Sequence, residues 1–414
     1  MKARQFPAVL TAAAMLFASL PQPAEAEVQS YDREVHTAKE ISAFFASHPW
    51  DMQNVSAFDA QPSLTAPYSP GSLSAATQQE LLNCLNCIRY AAGLPADLSV
   101  KAEYSELAQA ASLVNCLNGM LDHAPAKPAG MSEPMFRLAG LGAGGGILSR
   151  GRSAFCQSII EGLMGDSSDK NIPTLGHRRW ILNPELLYTG FGQAENFYTV
   201  YINDFNRQEK FTGDYIAWPP PNMPYYLYGK SGRYAMTVSL GDAYDTADIS
   251  KVSAEIRSEV LDKTWHLDGS CTDFDYYLTV NNQLFGTGNC LIFYPGLIFP
   301  ENDSVTVSIS GITKNGEPAP ITYSIQFFDM DPRQRGDCNL DGEVSVEDAQ
   351  DTLKAYTETV AGKADGLTDA QRRTADVNAD STVSVEDAQY ILKYYVSNTV
   401  AGRKVTWDAL LADM

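Results

Sequence analysis

The stretch from Asp337 to Asp348 reads DCNLDGEVSVED, and the stretch from Asp376 to Asp387 reads DVNADSTVSVED. Each copy carries an oxygen-bearing side chain at its positions 1, 3, 5, 9 and 12. Calcium takes about six to eight oxygen ligands, and EF-hand loops supply them from these positions and from the carbonyl at position 7. Both stretches therefore predict calcium-binding loops, and their duplication decides the fold of the C-terminal region.

The ligand sets of the two loops can be read position by position. The first loop offers Asp337, Asn339, Asp341, the carbonyl of Glu343, Ser345 and Asp348. The second loop offers Asp376, Asn378, Asp380, the carbonyl of Thr382, Ser384 and Asp387. At position 6, Gly342 provides a sharp turn in the first loop, whereas Ser381 stands there in the second. Because glycine adopts such turns most readily, we expect the second site to bind calcium more weakly.

A helix leaves each loop, reading VEDAQDTLKAYTE from Val346 and VEDAQYILKYYVS from Val385, with the same apolar spacing. Two features depart from an ordinary EF-hand: position 12 is Asp in both loops, and no long helix enters the first loop. The duplicated unit resembles a type I dockerin over roughly residues 336 to 400, and we assign 336–414 to this module. The resemblance implies two bound Ca²⁺ ions and docking onto a cohesin domain of a scaffoldin in a cellulosome-like assembly.

The resemblance also implies which residues meet the cohesin, namely those near the loop ends and on the exit helices. Here these are Val346, Glu347, Lys354, Val385, Glu386 and Lys393. The alternative interpretation is that calcium only stabilises the fold of the tail.

The N-terminus indicates where the protein functions. Lys2 and Arg4 precede an apolar run from Ala8 to Leu20, and Ala24-Glu25-Ala26 follows. This order is typical of a secretory signal peptide, residues 1–26, and predicts a secreted, extracellular protein. The dockerin resemblance implies that it is associated with a cellulosome or the cell surface. The run is too short to span a bilayer, so we expect no membrane insertion. The net charge of −20 argues against nucleic acid as a partner.

The chain length predicts two or three domains in an α+β multidomain protein. We expect an irregular segment at 27–73 that includes a short helix in HTAKEISAFFASHPW. A helical domain follows at 74–194, with helices from about Ser74 to Gly93, Lys101 to Gly119, Ser153 to Met164 and Gly176 to Leu182. After residue 195, short segments such as FYTVYI, YAMTVSL and ITYSIQFF predict an antiparallel β-sandwich at 195–329, followed by a linker at 330–335.

Seven cysteines are present, and in an exported protein they predict disulfides with one thiol left over. We expect Cys271 to pair with Cys290 and Cys338 to stay free. The other four can pair among themselves or, alternatively, bind zinc; they are Cys84, Cys87, Cys116 and Cys156.

Four segments of the helical domain belong together: LNCLNCIRYAAGLP, LDHAPAKPAGM, EGLMGD and LGHRRWILNP. In this order they resemble the bacterial branch of the CAP superfamily, the SCP-like extracellular domains. The resemblance implies an α-β-α sandwich whose cleft gathers His123, Asp166 and His177. It also implies a further glutamate near Gly144 to Ile147, where this chain reads GGGI and lacks a carboxylate.

The chemistry of these three residues leaves several functions open. Two neutral imidazoles and a carboxylate can bind Zn²⁺ with an open position, and a His/Asp pair can act as a general base. The histidines can also be purely structural, tying loops to helices. We therefore expect a cleft that binds a metal or ligand. One alternative is a hydrolase that acts on peptides or on plant cell-wall polysaccharide, and is thus peptidase-like or a glycoside hydrolase. Another alternative is a carbohydrate-binding component.

The segment IAWPPPNMPYYLY carries Trp218, Tyr225, Tyr226 and Tyr228 around four prolines. Exposed aromatic side chains at this density can stack on sugar rings, or they can form an apolar contact between domains. We favour the packing role.

Overall fold

The computed structural model describes residues 30–152, 154–168, 170–228, 233–329, 335–339, 341, 343–403 and 405–412. The predicted signal peptide, Gly342 and all of the predicted linker except Arg335 lie outside the described residues. The described chain is a mixed α and β structure with several sheets, in agreement with the predicted α+β class.

The predicted short helix in the N-terminal segment is α1, Ala38–Ser47. Thr37 caps it: the Glu40 N–H donates to Thr37 Oγ1 at 3.3 Å, and the Thr37 N–H donates to Glu40 Oε2 at 2.8 Å. This reciprocal pair satisfies two backbone donors that the first turn leaves unpaired. Three short strands complete the segment, β1 (Ser30–Tyr31), β2 (Phe58–Ala60) and β3 (Ser72–Leu73).

The helical region matches its predicted helices closely and adds one that was not predicted. The observed elements are α2 (Ala75–Ala91), α3 (Ala102–Asn118), α4 (Glu133–Gly145), α5 (Phe155–Gln157) with a π-helical continuation Ser158–Met164, and α6 (Gly176–Ile181). The unpredicted helix is α4. Its glycines favour a loop in the sequence because glycine is a poor helix former.

Close packing explains the glycines of α4. A Cβ on Gly142 would lie 1.9 Å from the carbonyl oxygen of Leu107 in α3, and a Cβ on Gly145 would lie 2.6 Å from the ring of Tyr201. Only glycine allows both approaches. The helix is therefore specified by its tertiary contacts more than by its local propensity.

A four-stranded sheet lies against these helices in the order β4 (Ser99–Val100), β6 (Tyr188–Ala194), β7 (Phe197–Tyr201) and β5 (Gly146–Arg150). Helix α3 packs directly on one face, where Cβ atoms on Gly190 and Gly192 would approach its backbone to 2.2 Å. On the other face, Phe191 and Val200 join a hydrophobic cluster with Leu85 of α2.

The predicted boundary between the helical domain and the sandwich, at residue 195, assigns the strand FYTVYI to the sandwich. This assignment was wrong. The segment forms β7, which pairs with β6 and β5 in the preceding sheet. The physical reason is a tight turn at Glu195, whose φ of +49° lets the chain fold straight back along β6.

The predicted sandwich consists of two five-stranded sheets. One sheet has the order β10 (Asn222–Pro224), β20 (Ile321–Phe328), β17 (Ser304–Ser310), β12 (Ser253–Ser258) and β13 (Lys263–Asp268). The other has the order β14 (Thr272–Asp273), β15 (Tyr276–Asn281), β16 (Cys290–Tyr294), β11 (Met236–Leu240) and β9 (Tyr215–Trp218). Pairing is antiparallel except between β10 and β20. Short accessory strands are β8 (Lys210–Phe211), β18 (Thr313–Lys314) and β19 (Glu317–Pro318).

The central strands of the second sheet, β11 and β16, are buried on both faces. Val238, Leu291 and Phe293 point into the core shared with the first sheet, whereas Ile292 on the opposite face packs with Leu175, in the loop before α6. The sandwich is therefore packed against the helical region, and the two regions share one interface.

Most of the aromatic segment packs inside the sandwich and does not form the favoured contact between domains, and Tyr226 is 37 % exposed. Trp218 is fully buried, and its Nε1–H donates to the hydroxyl of Tyr234 at 2.9 Å. Tyr228 is also buried, and Tyr225 donates its hydroxyl hydrogen to the Phe299 carbonyl at 3.2 Å. Since Trp218 is inaccessible, it cannot stack on a sugar.

All seven cysteines lie in the described part of the chain, and all are free thiols, so the expected disulfide pairs do not form there. Cys290 belongs to the cluster beside the helical region, whereas Cys271 packs against the core between the two sheets. Burial raises the pKa of the Cys87 thiol to about 12, and it raises the pKa of Cys84 as well. In the part of the chain that the structure describes, no three His, Cys, Asp or Glu side chains gather as the alternative zinc site requires.

The tail contains α7 (Val346–Val360), α8 (Asp369–Ala375), α9 (Val385–Tyr395) with a π-helical turn Val396–Val400, and α10 (Trp407–Ala412). Helices α7 and α9 are the two predicted exit helices, and they share a small core that includes Ala349 and Ile391. In the described part of the chain, no helix is both long enough and apolar enough to cross a membrane.

Candidate functional site: a two-histidine cleft

A cavity of about 340 Å³ opens where the helical region meets the sandwich. His123, Asp166 and His177, the three residues predicted from the sequence motifs, all line it. They come from three separate segments: the loop after α3, the end of the π-helical turn, and the first turn of α6. The structure thus brings together the predicted site residues.

His177 is oriented by Asp166. The ring Nδ1 lies 2.9 Å from Asp166 Oδ1, and the backbone N–H of His177 donates to Oδ2 at 3.0 Å. Because a carboxylate only accepts, the Nδ1 of His177 must carry the hydrogen. In the neutral imidazole, Nε2 then keeps a lone pair. Two left-handed residues, Asp166 (φ +48°) and Leu175 (φ +43°), shape the chain on either side of this contact.

His123 has the same tautomer through a different partner. Its Nδ1 lies 2.7 Å from the carbonyl oxygen of Ala143, near the end of α4. A carbonyl also only accepts, so Nδ1 donates and Nε2 keeps its lone pair. The loop is held by the Asp122 N–H, which donates to Asn115 Oδ1 at 2.7 Å, and by the left-handed Gly119 (φ +68°).

The two imidazoles have the orientation found at many metal sites, where the second ring nitrogen is anchored by a carbonyl or a carboxylate. Asp166 is buried and both of its oxygens accept hydrogen bonds from His177, so it orients the imidazole. Within the described ranges, no three His, Cys, Asp or Glu side chains gather into a group able to hold a metal ion. The two Nε2 atoms are therefore the ligands that these histidines can offer a metal, and other ligands would complete its coordination.

The GGGI segment forms one wall of the cleft. Gly144, Gly145 and Gly146 line the cavity at the junction of α4 and β5. A Cβ on Gly144 would meet only the His123 carbonyl oxygen, at 3.8 Å, so the space beside it is open. Because three glycines form it, this part of the wall has no side chains and therefore no carboxylate.

Sequence reasoning missed several residues that line the same cavity. These are Asn171, Thr174, Trp180, Ile202, Asn203 and Phe285. The least predictable is Phe285, since it comes from a sandwich hairpin far from the motif in sequence. The only signal was the pair of arginines after His177, because Arg179 binds this hairpin.

The two tail loops have matching hydrogen bonds. In the first, the Asp341 N–H donates to Asp337 Oδ1 at 3.0 Å; in the second, the Asp380 N–H donates to Asp376 Oδ1 at 3.1 Å. Carboxylates held this way keep lone pairs for an ion. Burial, together with the nearby carboxylate of Asp387, raises the pKa of Asp376. The calcium sites stay predictions, since in the described part of the tail no three His, Cys, Asp or Glu side chains gather into a group able to hold an ion.

The serine at position 9 has a role that the ligand assignment did not include. Ser345 and Ser384 are the N-caps of α7 and α9, and their side chains accept from Glu347 and Glu386 N–H groups. Each serine hydroxyl also donates to the aspartate at position 12, at 3.0 Å in the first loop and 2.9 Å in the second. The end of each loop is therefore also the capping box of its exit helix.

All six predicted cohesin-contacting residues are exposed on the tail surface. The structure adds Leu353 and Leu392, which are 42 % and 43 % exposed on the same two helices. Exposed leucines beside Lys354 and Lys393 give each exit helix a matching apolar and basic surface.

No family model matches the sequence, and no curated protein gives a significant match.

Proposed function

We propose that this chain is an exported, modular protein that is tethered by its tail and binds a ligand in its two-histidine cleft. The tail takes two calcium ions and docks onto a cohesin domain of a scaffoldin. The cleft binds a divalent transition metal through the Nε2 atoms of His123 and His177.

The observation that carries the cleft proposal is the matched tautomer of the two histidines. Both Nδ1 atoms donate to fixed oxygens, at 2.7 and 2.9 Å, so in the neutral rings both Nε2 atoms keep a lone pair, and both residues line the cavity. Neutral imidazole nitrogen suits Zn²⁺, Cu²⁺ and Ni²⁺. A purely structural role explains the Nδ1 contacts, but it does not explain why both rings line one cavity.

A zinc titration tests the cleft. The full-length protein is saturated with calcium first, so that the tail loops are filled, and Zn²⁺ binding is then measured by calorimetry. We expect one zinc site that His123→Ala and His177→Ala each weaken by at least about tenfold. His266→Ala is the matched control, since its exposed side chain lies on the sandwich. Equal zinc affinity in the unsubstituted protein and all three variants would contradict the metal proposal.

The docking proposal is supported by the repeated loop and helix and by the exposed surface of α7 and α9. We expect cohesin binding to require calcium, because the loops hold the exit helices in place. The experiment is retention on an immobilised type I cohesin in calcium and in EDTA. A double variant, Leu353→Ala with Leu392→Ala, should bind more weakly, and retention unaffected by EDTA would contradict the proposal.

A second candidate function is hydrolysis, with the Asp166–His177 pair as general base. The hydrogen bond at 2.9 Å orients the imidazole as a base requires. Casein, xylan and cellulose are suitable first substrates. Activity credited to the cleft must be lost in His177→Ala and kept in His266→Ala; activity retained in both variants would exclude the cleft as its source.

A further inference from the structure

We propose that the cleft is a binding site for a neutral sugar ring, and that Phe285 of the sandwich is the residue on which the ring stacks. This inference deepens the proposed function by naming a ligand class for the same cleft. It rests on how the wall containing Phe285 is built.

The hairpin that carries Phe285 is fixed to helix α6. Arg179 is buried and donates to Asn281 Oδ1 at 2.8 Å and to the Gln283 carbonyl at 2.6 Å. The same guanidinium lies 5.0 Å from the centre of the Phe285 ring. Charged hydrogen bonds of this kind are among the strongest that a side chain makes to its surroundings. The hairpin is therefore a fixed wall of the cleft.

Two glycines allow the hairpin to sit this close. A Cβ on Gly176, in the turn that presents His177, would lie 2.9 Å from the Phe285 ring. A Cβ on Gly286 would lie 2.6 Å from the Cβ of Asn183. Phe285 is thus seated against the backbone next to the histidine.

The rest of the cleft suits a flat, uncharged ligand. The glycine wall at residues 144–146 lines the same cavity as Phe285, and Trp180 adds a second aromatic ring. The amides of Asn171 and Asn203, together with the two imidazoles, can bind hydroxyl groups. Among the described residues that line the cavity, Asp166 is the charged side chain, and both of its oxygens accept from His177; no Lys, Arg or Glu is among them.

These features favour a sugar over a charged peptide or a phosphate. A pyranose presents C–H groups to an aromatic face and hydroxyls at its edge, which matches aromatic rings surrounded by amides. A cavity of about 340 Å³ is at the small end of ligand sites and fits one or two rings. The ligand class is thus a short neutral oligosaccharide.

The test is calorimetric titration of the full protein with xylotetraose, cellotetraose, maltotetraose and chitotetraose. We expect at least one to bind, and Phe285→Ala and Phe285→Leu both to lower its affinity by about tenfold or more. Phe285→Leu keeps apolar volume but removes the ring face. Leu284→Ala is the control, because this neighbouring side chain is 68 % exposed and does not line the cavity. Gly144→Leu, which fills the open space, should abolish binding.

Thermal unfolding checks that each variant is folded, and zinc titration of the same variants separates this inference from the metal proposal. Sugar binding without zinc binding would support the sugar site and contradict the metal proposal. Failure of all four sugars to bind at about 10 mM, or affinity unchanged in both Phe285 variants, would overturn the inference.

Discussion

Asp166 is the residue on which the chemistry of the cleft depends most. It is buried, it adopts a left-handed conformation, and it uses both carboxylate oxygens on His177. Its role is to position the imidazole. The sequence identified Asp166 through the EGLMGD motif, but only the structure shows that it orients His177.

We predict that Asp166→Asn weakens zinc binding by about 10- to 100-fold, the usual effect of removing the partner of a metal-binding histidine. Asparagine keeps one acceptor but presents an N–H₂ group to a second donor. Calorimetry on the calcium-saturated protein measures the change. Asp242→Asn is the control because that carboxylate is 86 % exposed, and an unchanged zinc affinity for Asp166→Asn would contradict the positioning role.

Ser381 supports a second prediction at the residue scale. Its φ is +70°, a conformation that costs an L-residue about 1–2 kcal/mol and costs glycine almost nothing. Ser381→Gly should therefore strengthen calcium binding by the second loop, whereas Ser384→Ala, which removes the cap of α9, should weaken it. Calcium titration of the unsubstituted protein and the two variants measures these changes. Weaker calcium binding by the second loop in Ser381→Gly would refute the strain argument.

At the scale of elements, regular patterns were predictable and glycine-dependent packing was not. Helices α2 and α3 were found because their apolar positions repeat with helical spacing and a glycine follows each end. Helix α4 was missed because its glycines serve contacts with α3 and Tyr201 that are distant in sequence. Strand β7 was recognised as a strand but assigned to the wrong sheet, since strand periodicity does not identify the partner.

The packing of α4 predicts that two Gly→Ala substitutions change the stability of the protein in opposite directions. Gly142→Ala should destabilise the protein by about 1–3 kcal/mol, because its Cβ would overlap the Leu107 carbonyl. Gly140→Ala in the same helix should stabilise it by about 0.5–1 kcal/mol, because a Cβ there meets no atom within 4 Å. Urea unfolding measures both changes, and the same sign for the two variants would contradict this account of the helix.

At the scale of the whole molecule, the helical region and the sandwich act as one structural unit around the cleft. The central strands β11 and β16 of one sandwich sheet are buried on both faces, and Arg178 and Arg179 cross the interface. Arg178 Nε donates to the Met164 carbonyl at 2.7 Å, and its Nη1 donates to the Ala235 carbonyl of the sandwich. These contacts could not be predicted because no local pattern relates an arginine to a carbonyl that is distant in sequence.

We predict that Arg179→Met destabilises the protein by about 1–3 kcal/mol, because it leaves partly buried carbonyl groups without their donor. The hairpin at 281–289 should then exchange its amide hydrogens faster than the rest of the sandwich. Urea unfolding and hydrogen exchange measure the two effects. Arg257→Met is the control, as that side chain is 52 % exposed. A hairpin that stays protected in Arg179→Met would show that Arg179 does not hold it.

The most direct test of the central claim, that two imidazole Nε2 atoms are available in the cleft, is nitrogen NMR of the histidine rings. The chain has five histidines, so selective ¹⁵N-histidine labelling gives a simple spectrum, and the His123→Ala and His177→Ala variants assign the two rings. The account predicts the Nδ1–H tautomer for both rings and a shift of both Nε2 resonances when Zn²⁺ is added. Nε2–H tautomers, or Nε2 resonances that zinc leaves in place, would contradict it.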